Sequence, residues 1–156
     1  MTDISYWLMK SEPDVYGIKH LQEEGSTLWD GIRNYQARNF MRSMKIGDKA
    51  FFYHSNCSPP CIAGIMEIEE IHITDPTQFE SSSKYFDPKS TRNNPKWDCV
   101  KVKYIAEFSN KMSLEELKKK YEDNQLQILK RGNRLSITPI NKAIAEELLK
   151  SLNFKL

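Results

Sequence analysis

The stretch CIAGIMEIEEI, residues 61–71, decides the fold. Its first half, Cys61 to Met66, is apolar at consecutive positions, so both faces of an extended chain are apolar there. A strand buried on both faces lies inside a sheet, not at its edge. Working outward, GDKAFFYHSN (47–56) is a Gly47-Asp48 turn feeding a second strand, and SYWLMKS (5–11) is an earlier, short aromatic one. WDCVKVKYIAEF (97–108) alternates Val100, Val102 and Tyr104 against lysines, and RLSITP (134–139) reads as a last strand. Between them lie segments of helical period. Pro13 and Asp14 open one helix, with Val15, Ile18 and Leu21 on its buried face and Gly25 as its stop. Ala37, Phe40, Met41 and Met44 mark a second, with Asn34, Arg38 and Arg42 on another face. Ser113 and Glu116 form a capping box that starts a third, with Leu114, Leu117 and Tyr121 inside. Ile144, Ala145, Leu148, Leu149 and Leu152 line the closing helix. Strands in succession without regular βαβ alternation give an α+β domain with a mixed sheet or small barrel, spanning residues 1–156.

Composition narrows the function classes. The chain has 156 residues, 39% apolar and 28% charged, which suits one domain with a real core. A net charge of +2 gives no global field for a polyanion. Aromatics reach 11%, a surplus that can line a site as well as a core. The N-terminus runs straight into a strand-like segment without a basic n-region, and no apolar run approaches the ~20 residues of a membrane span. Three cysteines make no disulfide framework, so a reducing compartment is expected, cytoplasmic or, in a eukaryote, nuclear. Cys57 and Cys61 with His54 upstream supply one ligand pair interrupted by Pro59-Pro60, whereas a structural zinc site wants four ligands. They read as small loop residues. No metal or cofactor is expected.

The phosphate-binding glycine motifs and the hydrolase motifs are missing. Lys10-Ser11 and His54-Ser55 are adjacent on strands and point to opposite faces, so neither pair activates its own nucleophile. The lysine run 118–120 reads as a solvated helix face. Residues 74–96 form the longest irregular stretch, of a length that is usually functional or mobile. A further candidate chemistry is base recognition, which needs aromatic walls and a few polar groups that read a base edge; residue by residue the same side chains also read as core aromatics, caps or solvated charges, and the site reading rests on their clustering at strand ends and turns. Trp29, Tyr35, Tyr53, Tyr85 and Phe86 supply walls. Ser11, Glu12, Asn34, Asn56 and Ser136 supply donors and acceptors, and Arg33, Arg38, Arg42, Lys45, Lys130, Arg131 and Arg134 can meet phosphates.

Five blocks, YWLMKSEP, WDGIRNYQARN, GDKAFFYHSN, YFDPKS and RLSITP, resemble the EVE domain family in order, from residue 6 to residue 139. The resemblance implies a PUA-like fold, a twisted, partly closed β-barrel of mixed strands with flanking helices, similar to YTH domains. It implies a non-catalytic reader of modified bases, notably modified cytosine in DNA or a modified base in RNA, with nucleic acid as partner and a monomer as default. Bacterial members are associated with restriction-type and RNA-modification contexts. Carried over by position, Trp29 matches the cage tryptophan, and Lys10, Ser11 and Glu12 match the polar strand end that opens into the pocket. Asn34 and Tyr35 share the Trp29 signature; Tyr53, His54, Ser55 and Asn56 match a second strand end. Tyr85 and Phe86 fall where YTH domains place further cage aromatics, and Arg134 and Ser136 match a late strand at the pocket floor. On this reading Trp29→Ala abolishes binding and leaves the fold intact. The rival reading is an amidohydrolase of ASCH type acting on a modified nucleoside through Lys10, Glu12 and His54, and a third is a protein-interaction domain with an incidental pocket.

Overall fold

The strand over residues 61–71 is longer than its sequence pattern. In the computed structural model, which describes residues 3–156, it runs Cys61–Thr74 (β4) and is buried at each of its first six positions. It pairs antiparallel with Lys49–His54 (β3) on one side and Asp98–Ser113 (β5) on the other. Tyr6–Ser11 (β1) joins β3 in parallel, Ser26–Leu28 (β2) flanks β5, and Ile137–Ile140 (β6) flanks β1. The resulting order, β2-β5-β4-β3-β1-β6, is a six-stranded mixed sheet that does not close. Register shifts in both β4 ladders bend it, as bulges do. The three-residue β2 has no period of its own and was not foreseen.

Helices cover both faces. On the first, Pro13–Tyr16 (α1), Ile18–Glu24 (α2) and Tyr35–Ser43 (α3) enclose Trp7, Met9, Phe52, Ala63, Met66, Val100 and Val102. On the second, Leu114–Lys120 (α4) and Lys142–Ser151 (α5) enclose Tyr6, Leu8, Phe51, Tyr53, Ile62 and Ile65. At ~25 cal/mol per Å² of apolar surface, two such layers dominate the stability. Gly64 sets how tightly α2 sits on the sheet. A Cβ there would meet Ala106 O and Ile18 Cδ1, each at 2.6 Å, so α2 packs against bare backbone.

The helix expected from Pro13 to Glu24 is two helices. Gly17 is extended (φ −99°, ψ 174°) and breaks it, which rotates Val15 out to 57% exposure while Ile18 and Leu21 stay buried. The late strand also begins later than expected, so Arg134 and Ser136 precede β6 in a loop. The stretch 74–96 is not loose. The Gln78 amide, fully buried, donates to Asp75 O and Trp97 O, both at 2.7 Å, and accepts from Lys96 N at 3.2 Å, Trp97 N at 3.1 Å and Ser90 Oγ. One side chain therefore closes the loop on itself.

Candidate functional site

β2 ends at Leu28 and the chain turns across the first face. Trp29 N donates to Val100 O at 2.8 Å, and Gly31 follows at φ +82°, a conformation that favours glycine. Gly31 N donates to Asp75 Oδ2 at 2.8 Å. The Trp29 ring packs edge-on against Phe52, centroids 5.4 Å apart, and is only 7% exposed. It is a core residue as well as a site candidate, so truncation to alanine also removes core volume, at ~3–5 kcal/mol. The expectation of an intact fold in that variant is therefore corrected.

The three tryptophans differ in one respect. Trp7 Nε1 donates to Asp48 Oδ2 at 3.0 Å and Trp97 Nε1 to Asp87 Oδ2 at 2.7 Å. Trp29 has no such partner among the described residues, and no buried side-chain nitrogen or oxygen lacks one, so its N–H reaches the accessible surface. A buried indole usually finds an acceptor. Here the donor has no protein acceptor among the described residues.

The strand ends on this face are polar and ordered. Ser11 Oγ donates to Tyr16 O at 2.6 Å, Ser55 N donates to Ser11 O at 3.0 Å, and Asn56 Nδ2 donates to Glu12 Oε1 at 2.6 Å. His54 Nε2 accepts from Ile18 N at 3.1 Å, and His20 Nδ1 accepts from Gly17 N at 2.7 Å. An acceptor nitrogen carries no proton, so the neutral His54 ring holds its proton on Nδ1. Burial, then the Lys111 charge, lowers the His54 pKa and keeps it neutral. A cleft of ≈ 330 Å³ opens beside them, lined by Pro13, Gly17, Ile18, His20, His54 and Glu107 among others. A larger depression of ≈ 530 Å³ lies over Lys118–Gln125 and contains no residue of the expected site.

The expected pocket residues do not share one face. Lys10 pairs with Tyr53 and Ser11 with His54 in the parallel ladder, and neighbours along a strand alternate. Tyr53 packs in the second-face cluster, 2% exposed, with its phenol pushed up to about 12 by burial. Lys10 shares that side, its pKa lowered by burial, and Ser136 O accepts from Lys10 N at 2.8 Å. Lys10 and Tyr53 are therefore separated by the sheet from Ser11, Trp29 and His54, while Ser136 meets Lys10 through the backbone at the strand end. The same alternation parts Lys10 from His54, and Glu12 Oε1 accepts from Asn56 Nδ2.

The arginines also divide. Arg33 is held at every nitrogen: Nε and Nη2 donate to Tyr85 O at 2.9 and 2.7 Å, Nη2 to Thr77 Oγ1 at 3.0 Å, and Nη1 to Ile32 O at 2.9 Å and Asp75 Oδ2 at 3.0 Å. It has no donor group left for phosphate and serves as a strap between the Trp29 turn and the 75–97 loop. Its guanidinium lies 5.8 Å from the Tyr85 ring centroid and 5.3 Å from that of Trp97. Trp97 stacks on Tyr35 at 4.8 Å, and Arg38 covers Tyr35 at 4.7 Å while donating to Lys96 O. Arg42 pairs with Asp98, and Lys45 with Asp48 at 3.6 Å. Asn34 caps α3 by accepting from Ala37 N at 2.9 Å, leaving its amide NH₂ as the outward group. Tyr35 is 53% exposed and Phe86 40%, while Tyr85 lies against Gly31, where a Cβ would come within 2.7 Å of its ring. Lys130, Arg131 and Arg134 are exposed and make no ion pair among the described residues. Sequence reading missed Asp75, Gln78 and Trp97. The Asp75-Pro76 pair was a visible turn signal; Gln78 and Trp97 gave none.

The EVE domain matches residues 5–151. Thymocyte nuclear protein 1 of Homo sapiens is 42% identical over 156 aligned residues, covering 88% of this chain and 69% of the relative. The Rattus norvegicus protein of the same name is 46% identical over 125, covering 73% and 55%, so the chain spans between about half and two thirds of these relatives. The crystal structure of human THYN1 in complex with 5-methylcytosine containing DNA has a TM-score of 0.89 at 39% identity, covering 97% of this chain and 99% of that one. A Pseudomonas syringae protein reaches 0.91 at 42% identity, covering 95% and 99%. A YTH domain of Zygosaccharomyces rouxii, in complex with N6-methyladenosine RNA, shares the fold at 15% identity and TM-score 0.57, covering 100% and 88%. Among the described residues, no helix is long and apolar enough to cross a membrane.

Proposed function

Since this chain belongs to the EVE domain family, we propose that it binds nucleic acid as a non-catalytic reader of one modified nucleobase, with 5-modified cytosine in DNA as the first candidate. The observation that carries this reading is the human relative, which adopts the same fold over 97% of this chain and is solved with 5-methylcytosine containing DNA. The geometry supports it through Trp29, whose indole N–H has no protein partner while those of Trp7 and Trp97 do. Ser11, with its hydroxyl proton given to Tyr16 O, offers lone pairs to a base edge, and Asn34 offers its NH₂. The small exposed part of the Trp29 ring and its N–H form the contact. Three free cysteines fit a reducing compartment, cytoplasm or nucleus. Restriction-type or RNA-modification machinery is the partner class that such a reader serves.

The test uses Trp29→Phe, which keeps an aromatic ring in the core and removes the indole N–H. The measurement is the affinity for an oligonucleotide with one 5-methylcytosine against its unmodified twin. The preference falls by about tenfold, since ~1.4 kcal/mol is a factor of ten. A variant that keeps the wild-type preference sinks the assignment of Trp29.

A further inference from the structure

The segment Ser81–Lys96 carries four cations, Lys84, Lys89, Arg92 and Lys96, against one carboxylate, Asp87. The molecule's ion pairs use Lys19, Arg33, Arg42, Lys45, Lys49, Lys101 and Lys111. None among the described residues uses a cation of this segment. Asp87 is itself occupied, accepting from Trp97 Nε1 at 2.7 Å and from Lys89 N at 2.9 Å. The backbone that presents these cations is held firmly: Gln78 and Ser90 close it from inside, and Arg33 grips Tyr85 O. Lys84 Nζ sits 5.1 Å from the Tyr85 ring centroid, and that ring lies against Gly31, two residues from Trp29. From there the stack runs Tyr85, Arg33, Trp97, Tyr35 and Arg38, with Lys96 O bonded to Arg38 Nη1. Lys84 therefore lies beside the Trp29 turn and Lys96 beside α3, Arg92 sits over the Phe79 ring 4.7 Å from its centroid, and Phe86 is exposed on the same tied-down segment.

We propose that the 84–96 ridge is a second contact with the same polynucleotide, taking the phosphodiester backbone beside the base held at Trp29. It rests on the reading of this domain as a nucleic-acid binder. The charge argues for the partner: unpaired cations on a rigid, aromatic-studded surface suit a polyanion with stackable groups, and phosphates fix position without reading sequence. It also supplies what Arg33 and Arg42 do not, because those two are neutralised by Asp75 and Asp98.

The test is the quadruple variant Lys84→Gln, Lys89→Gln, Arg92→Gln, Lys96→Gln, titrated with modified oligonucleotide, unmodified oligonucleotide and free 5-methyl-2′-deoxycytidine over a range of salt. Both oligonucleotides bind about ten- to a hundredfold more weakly, and the slope of log affinity against log salt falls by about one unit per lost phosphate contact. Affinity for the free nucleoside stays within about twofold, since it has no phosphate. An unchanged salt slope overturns the ridge, whatever happens at Trp29. Equal loss for the nucleoside overturns it too, by showing a general disturbance of the base site. An acidic peptide bound by the wild type as tightly as unmodified DNA, and lost in the variant, overturns nucleic acid as the partner. If the Trp29→Phe variant keeps its base preference while the quadruple variant loses salt-dependent affinity, the base reading fails and the ridge stands.

Discussion

The face under α4 and α5 and the face under α1, α2 and α3 bury comparable sets of side chains and leave different remainders. Under α4 and α5 the polar groups are few and internally matched, as where Tyr121 OH donates to Glu147 at 2.8 Å. Most of that face is aliphatic packing by Ile62, Ile65, Leu117, Leu148 and Leu149. Under α1 to α3 a dense polar web fixes Gly31, Arg33 and His54 but leaves the Trp29 N–H open. Hydrogen-bond accounting sets Trp29 apart from Trp7 and Trp97 where burial does not: the three are 7%, 6% and 5% exposed, and only Trp29 lacks an acceptor for its indole N–H among the described residues.

The largest effect that tests this contrast is Asp75→Ala. It strips one fully buried carboxylate from Arg33, Gly31 N and Thr77, for a loss of about 3 kcal/mol. Leu148→Ala on the other face has a comparable stability loss of ~2–5 kcal/mol. Denaturant unfolding is paired with affinities measured well below both midpoints. Asp75→Ala loses the preference for the modified base and Leu148→Ala keeps it; an equal loss in both erases the distinction between the faces. Gly31→Ala comes next. A side chain at φ +82° and 2.7 Å from the Tyr85 ring is strained, for about 1–3 kcal/mol. It should shift Tyr85 and weaken base preference together, and a variant with native stability would show that the turn is not held by that contact.

The smallest effect is pH. The His54 pKa in the fold lies below its ordinary 6.5, so the folded protein binds that proton less readily than the unfolded chain. Its contribution is complete above about pH 6.5 and declines as pH falls toward the lowered value. Charging Nε2 also sets two donors, Nε2–H and Ile18 N–H, against each other. Wild type should therefore lose more stability than His54→Gln between pH 7.5 and 5.5, and a relative gain on acidification would reverse the assignment.

Much of this was legible in the chain and some was not. The apolar run at Cys61–Met66 located an interior strand, and the period of Ala37, Met41 and Met44 located α3. The capping box at Ser113 and Glu116 is present as read. The break at Gly17 was hidden because the apolar period of Ile18 and Leu21 extends backward through Val15 by chance. Grouping pocket residues by family block placed Lys10 beside Ser11, although strand alternation already parts them. The roles of Arg33 and Gln78 were illegible because their partners are distant in sequence: Tyr85 is 52 residues from Arg33, and Trp97 is 19 from Gln78. A guanidinium looks equally available in sequence whether it meets solvent or a buried carboxylate.

The sheet that does not close has two ends, and both are poor templates. β2 offers three residues and β6 four, and Pro139, paired with Trp7, lacks an amide hydrogen. A stray extended chain arriving at either side finds too few consecutive groups to add itself as a further strand. β2 covers only Lys101–Lys103 of the long β5, so what resists edge-to-edge pairing at this sheet is the shortness of the two border strands and the missing amide hydrogen of Pro139.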